Sequence, residues 1–274
     1  MQTRFESFDY NLNPVMPSSV SPSLFLYGPE RNKQGLKSLT ESNTPYSDHA
    51  LFAYQAIQNT VRARNYPCVP AILSVEKHQY LVGIYSGFGT GIFADEFYRD
   101  LMYFKEEQKN KNMPYLSFWA IFMEPQKMSE TEFETALWHE LSSLSALSDP
   151  STPWDPRFSS HPDDKNFCLS FGGEAVFAVG MHANSTRAAR RFPWPTIVVN
   201  MYSQFTDMME EDLFEEVVRK NREREMRYAG SLNPMVVKYG NEREAIQFSG
   251  KENDPEWNCP YKSPQIKKPS TRSK

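Results

Sequence analysis

Hydrophobic positions along the chain repeat with two different periods. In DHALFAYQAIQNTVRARN, Leu51, Tyr54, Ile57 and Val61 recur at intervals of three and four. That spacing predicts an amphipathic helix, capped by Asp48 and ending before Pro67. QYLVGIYSG (79–87) is a short apolar run closed by glycines and predicts a strand. ADEFYRDLMYFKEEQK (94–109) returns to a helical period, and PYLSFWAIFME (114–124) is aromatic and aliphatic throughout, the mark of a buried strand. Ser129 followed three residues later by Glu132 is a capping box, which predicts that SETEFETALWHELSSLSAL opens a helix. FCLSFGGEAVFAVGMH (167–182) reads as two short strands hinged at Gly172-Gly173, and WPTIVVNMY (194–202) as another strand. DMMEEDLFEEVVRKNREREMRY (207–228) reads as one helix with acids early and bases late, complementing its dipole.

Between these elements lie breakers. Residues 1–47 are rich in Ser, Pro and Asn and predict an irregular N-terminal arm. Residues 262–274 predict a basic disordered tail. Residues 48–261 are left as one domain. Its strands and helices alternate without a strict βαβ rhythm, so the expected class is α+β, a mixed sheet flanked by helices. STPWDPRFSSHPDDKN (151–166) is a proline-rich loop. GFGTGIF (87–93) lacks both the GxGxxG spacing and a Walker lysine, and is read as a turn. In RNYPCVPA (64–71), Pro67 and Pro70 predict a stiff, non-helical loop with Cys68 near its middle.

Composition narrows the picture. Aromatic residues are 14% of 274, enough for a substantial core. A net charge of -4 gives no sign of a nucleic-acid binder. No apolar run approaches the roughly 18 residues of a membrane span, and MQTRFESFDYNLNPV lacks the pattern of a signal peptide. Cys68, Cys168 and Cys259 are odd in number and widely spaced, which fits neither a disulfide framework nor a zinc signature. A reducing, cytoplasmic setting is expected.

Candidate chemistry concentrates in MHANSTRAARRFPWP (181–195). Asn184 or Ser185 can cap a short helix, ended by Pro193, that sets Arg187, Arg190 and Arg191 on one face. Three guanidiniums at that spacing need neutralising, either by acidic side chains or by an anionic ligand. His182 precedes them and is either a satisfied structural residue or a ligand. Cys68 and Cys259 sit in proline-marked loops, whereas Cys168 falls within a strand and reads as core. A thiolate or an imidazole can ligate heme iron.

Four segments in this order resemble the YqcI/YcgG family: YPCVPA (66–71), FGGEAVFAVGMHANSTRAARRFPWPTIVVN (171–200), GSLNPMVVKYGNEREAIQFSG (230–250) and WNCP (257–260). The family includes heme-dependent N-hydroxylases of natural-product pathways. The resemblance implies a heme b enzyme that uses dioxygen to hydroxylate a guanidino or amino nitrogen of an arginine-like small molecule. It implies Cys68, His182 or Cys259 as the axial ligand, and Arg187, Arg190 and Arg191 as partners of the heme propionates or of a substrate carboxylate. Glu174 and Glu244 are the acids within the matching segments that could hold a guanidinium. No flavin or nicotinamide fingerprint is present, so electrons are expected from an external reductase or from peroxide. A heme sensor or carrier, and a heme-free binding domain for an anionic metabolite, stand as alternatives.

Overall fold

Successive side chains of a strand point to opposite faces, and in Ser117–Glu124 both faces are apolar. Phe118, Ala120 and Phe122 join one buried cluster, while Trp119, Ile121 and Met123 join another. A strand of this kind has to be covered on both sides, and that requirement organises the fold. The structure, a computed structural model, describes residues 25–29, 35–39, 47–111, 113–210, 212–235, 244–254 and 256–262.

The strands are β1 (Phe25–Pro29), β2 (Leu36–Ser38), β3 (Tyr80–Gly87), β4 (Ser117–Glu124), β5 (Leu169–Phe171), β6 (Glu174–Met181) and β7 (Thr196–Met201). Among the described residues they form one seven-stranded sheet in the order β2-β1-β3-β4-β7-β6-β5. β3 and β4 are parallel, with Tyr80 opposite Ser117, and the other neighbours are antiparallel. The helices are α1 (Ser47–Val61), α2 (Val69–Glu76), α3 (Ala94–Lys111), α4 (Glu130–Leu147), α5 (Ser203–Glu210) and α6 (Phe214–Ala229). Parallel neighbours need a crossover connection, and α3 supplies it between β3 and β4. α3 and α4 cover one face of the sheet through Phe97, Leu101, Phe133 and Leu137. α1 and α2 cover the other through Ala53, Ile57, Val61 and Val75. The chain is thus an α+β domain with a mixed sheet flanked by helices.

Local chemistry sets several boundaries as expected. The Glu132 amide donates to Ser129 Oγ at 3.3 Å, and the Ser129 amide donates to Glu132 Oε2 at 2.7 Å, which completes the capping box of α4. Gly172 and Gly173 have φ of 59° and 83°, the paired left-handed conformations of a two-residue hairpin turn.

Other expectations change. β1 and β2 lie inside the stretch read as an irregular arm. The buried face of α1 is Ala50, Ala53, Ile57 and Val61, whereas Leu51 is exposed. The side chain of Asp48, the expected cap, falls outside the described residues, as does the tail from 263 onward. The loop around Cys68 is not wholly non-helical, because Cys68 is the N-cap of α2 and Pro70 sits in its first turn. There a missing N–H costs no helical hydrogen bond. The single helix expected over 207–228 is two helices. Asp212 turns left-handed at φ 58°, and the Leu213 amide bonds back to Met208 O at 2.9 Å, which ends α5. The arginine-bearing segment forms only a 3-10 turn, Ala188–Arg190, capped by Arg187 rather than by Asn184 or Ser185.

Candidate active site

α6 holds the two loops that carry the candidate ligands. Asn221 Oδ1 accepts from the Val69 amide at 2.9 Å, and Arg224 Nε donates to Tyr66 O at 2.7 Å, so the chain is fixed on both sides of Cys68. Glu225 pairs with Arg187 of the 3-10 turn. Asn221, Arg224 and Glu225 stand at i, i+3 and i+4, one face of a helix.

Cys68 is partly buried at the start of α2, in extended conformation. Burial pushes its thiol up; the Ala71 backbone and the Arg190 charge oppose that shift. Arg190 is held by carbonyls. Nη1 donates to Gly180 O at 3.0 Å and to Phe248 O at 3.4 Å, and Nη2 donates to Gln247 O at 3.2 Å. Burial lowers its guanidinium to about 10, against the opposing influence of Tyr66. Arg191 is exposed and commits Nε to Ser185 O at 2.8 Å and Nη2 to Thr186 O at 3.2 Å. A guanidinium has five N–H donors, so Arg191 keeps donors for an anion.

His182, at the end of β6, is 2% exposed. Its ring stacks on Phe133 with centroids 4.4 Å apart and planes at 17°. Its amide donates to Arg190 O at 3.0 Å. Nδ1 is buried with no hydrogen-bond partner. Burial holds the imidazole below its ordinary range, partly offset by Glu130. His182 stacks on Phe133 of the cluster under α3 and α4, whereas Cys68 packs against the cluster under α1 and α2. The 3-10 turn therefore gathers Cys68, His182 and the arginines at one end of β6, with the two ligand candidates on opposite faces of the sheet.

The remaining candidates lie elsewhere. Cys259 is buried in the larger core cluster with Trp138 and Tyr261. Cys168 is core, with Sγ 3.4 Å from Val176 O. Glu174 opens β6 and faces Lys105 Nζ at 3.5 Å. An eight-residue strand, on the order of 25 Å, separates it from His182. The cavity beside Gly172 and Gly173 holds about 10 Å³, room for one water. Glu244 Oε1 accepts from Tyr202 OH at 3.4 Å, and Tyr202 bonds Ala175, so Glu244 lies near the Glu174 end.

A cleft of about 480 Å³ opens beside the first turn of α2. Val69, Pro70 and Leu73 form one wall, Leu213 and Val217 another, and α5 contributes Gln204, Asp207 and Glu210. The sequence reading did not single out the α6 clamp or this cleft. The polar i, i+3, i+4 face of α6 was a usable signal for the clamp. The cleft has none, since it depends on the break between α5 and α6. Among the described residues, no helix is long and apolar enough to cross a membrane.

The profile of the YqcI/YcgG family matches residues 57–262. No curated protein and no solved structure matches the chain.

Proposed function

The chain belongs to the YqcI/YcgG family, and on that premise we propose that it is a heme-dependent N-oxygenase acting on a guanidino or amino nitrogen of a small, arginine-like molecule. The observation that carries the reading is the placement of Cys68: it caps α2, lies within reach of the Arg190 charge, and adjoins the residues that wall the 480 Å³ cleft.

The donor set suits heme. A heme would take a thiolate or an imidazole from the protein as its iron ligand. Cys68 is the first choice, because the helix N-terminus and a guanidinium favour its thiolate. His182 is the second, because it offers a neutral imidazole with an unpartnered buried Nδ1. Cys259, packed among aromatic side chains, is the third. Arg191 is the partner for a propionate or a substrate carboxylate, since Arg187 is committed to Glu225 and Arg190 to three carbonyls. For the same reason the arginines lend little support to a heme-free site for an anionic metabolite.

When bound, heme supplies activation of dioxygen and delivery of one oxygen atom to the substrate nitrogen. Such a reaction would also need two electrons and two protons, with an external reductase as donor, and would release one water; with peroxide as oxidant it would need no reductase. The chain's own part is to hold and orient. Burial disfavours the Cys68 thiolate, and the Ala71 backbone and the Arg190 charge oppose that shift. Asn221 and Arg224 fix the backbone on either side of it, and the apolar wall of α2 limits water beside the reacting nitrogen. Three unbridged cysteines suit a reducing cytoplasm.

The test is an absorption spectrum of the full chain purified after expression with iron and a heme precursor, then reduced under carbon monoxide. A Soret band is expected, with a strongly red-shifted carbon monoxide band that Cys68→Ala abolishes. Incubation with L-arginine, a reductase system and labelled dioxygen should then give a product with one labelled oxygen. A heme-loaded protein that yields no such product from any guanidine or amine is a sensor or carrier. Absence of a Soret band overturns both.

A further inference from the structure

The cleft beside α2 carries a polarity of its own. Its volume lies in the range of small-molecule sites. Gln204 and Asp207, at i and i+3 on α5, share a helical face, and Glu210 follows at the end of the helix. Gln204 is 7% exposed and its Nε2 donates to Leu116 O at 2.8 Å, which fixes the amide. Among the described residues, nothing donates to its Oε1. Asp207 and Glu210 are exposed at the rim, and no described residue forms an ion pair with either. Among the described residues, no lysine or arginine lines the cleft. The polar lining is therefore rich in acceptors and carries negative charge, while Val69, Leu73 and Val217 offer an apolar stem groove.

We propose that this cleft binds a small organic cation with an aliphatic stem. Its guanidinium or ammonium group hydrogen-bonds Asp207, Glu210 and Gln204 Oε1, and its stem lies along Val69, Leu73 and Val217. Charge-assisted bonds to carboxylates are the strong ones, and a guanidinium fork can meet two acceptors at once. That the cation is the substrate rests on the N-oxygenase reading; that the cleft binds it does not.

The proposal is tested by titration calorimetry on the full chain with agmatine, L-arginine and n-butylguanidinium, against n-butylurea as the uncharged counterpart. At least one cation should bind about tenfold or more tighter than the urea, and more weakly as salt is raised. Asp207→Asn and Glu210→Gln lie at the exposed rim and leave the fold intact; each should weaken binding about fivefold to tenfold. Val217→Ser, on the apolar wall, should weaken n-butylguanidinium more than it weakens unsubstituted guanidinium titrated alongside. Cations that bind no better than the urea, or binding untouched by both carboxylate variants, overturn the proposal. Binding with no oxygenated product sinks only the N-oxygenase reading. Oxygenated product with kinetics unchanged in Asp207→Asn and Glu210→Gln sinks only the cleft.

Discussion

The Val69 amide donates to Asn221 Oδ1 at 2.9 Å and so ties the first turn of α2 to the face of α6. A first-turn N–H has no partner within its own helix. Asn221→Ala should therefore cost about 1 kcal/mol of stability and loosen the loop that holds Cys68. The expected readouts are a small fall in denaturation midpoint and a several-fold faster reaction of Cys68 with a thiol reagent, corrected for Cys168 and Cys259. An unchanged reaction rate would show that α6 does not hold the cysteine.

Arg187 and Glu225 are 12% and 13% exposed, so their pairing is largely shielded from water. Glu225 Oε2 also accepts from the Asn233 amide at 3.2 Å. Glu225→Ala removes the partner of a buried guanidinium and should cost about 3 kcal/mol. Replacing both members with apolar residues should cost less than the single change. Urea unfolding of these two variants and the wild type checks this ordering.

A Cβ on Gly180 would meet Phe133 Cε1 at 2.6 Å and Phe248 O at 2.8 Å. The second contact is backbone, and Phe133 is held by its stack on His182. Gly180→Ala should cost about 2–3 kcal/mol through overpacking and displace the His182 ring. The histidine resonances should shift along with the melting temperature. A stability near that of the wild type would mean that Phe133 can move.

Glu140 is 1% exposed; its Oε1 accepts from the Thr90 and Gly91 amides at 2.9 and 3.0 Å, and its Oε2 has no partner. Burial raises its carboxyl above the ordinary 4.5, against hydrogen bonds from the glycine-rich turn. The folded state thus binds the proton more tightly than the unfolded state. The stability this group contributes is complete below the ordinary carboxylate value and is lost as pH rises through the raised one. Glu140→Gln keeps an acceptor for the turn and does not titrate. The difference in melting temperature should move in the variant's favour between pH 4.5 and pH 7.5. A difference constant with pH would assign the effect to packing alone.

The fold was legible where short-range chemistry decides it. Ser129 with Glu132 marks the start of α4, Gly172-Gly173 marks a hairpin, and the unbroken apolar run at Phe118–Met123 marks a strand covered on both faces. It was less legible where one residue type serves two purposes. Pro70 breaks a helix from within but opens α2 without cost, so a helix start reads as a rigid loop. Arg187, Arg190 and Arg191 have the spacing of a common helical face, yet Arg187 answers to Glu225 on α6, Arg190 to carbonyls at 180, 247 and 248, and Arg191 to the nearby carbonyls of Ser185 and Thr186. Asp212 halts α5 by adopting a left-handed conformation that no pattern of hydrophobic residues encodes. Of the candidate site, Cys68, His182 and the arginines were legible as residue types, and their convergence at one end of β6 was not. Asn221, Arg224, Gln204 and Asp207 acquire their parts only when α5 and α6 pack.

The pairing of β4 with β7 has a consequence for synthesis. β3, α3 and β4 are contiguous in the chain, but β7 follows only after α4, β5 and β6. Until Thr196–Met201 leaves the ribosome, the edge of Ser117–Glu124 that will receive it stands open. An open apolar edge is a template for pairing with other chains, and translation at about 5–20 residues per second keeps it open for several seconds. The nascent protein thus passes through an interval in which a strand destined for burial on both faces is half-paired, and a chain stopped before Thr196 should aggregate while the complete one folds.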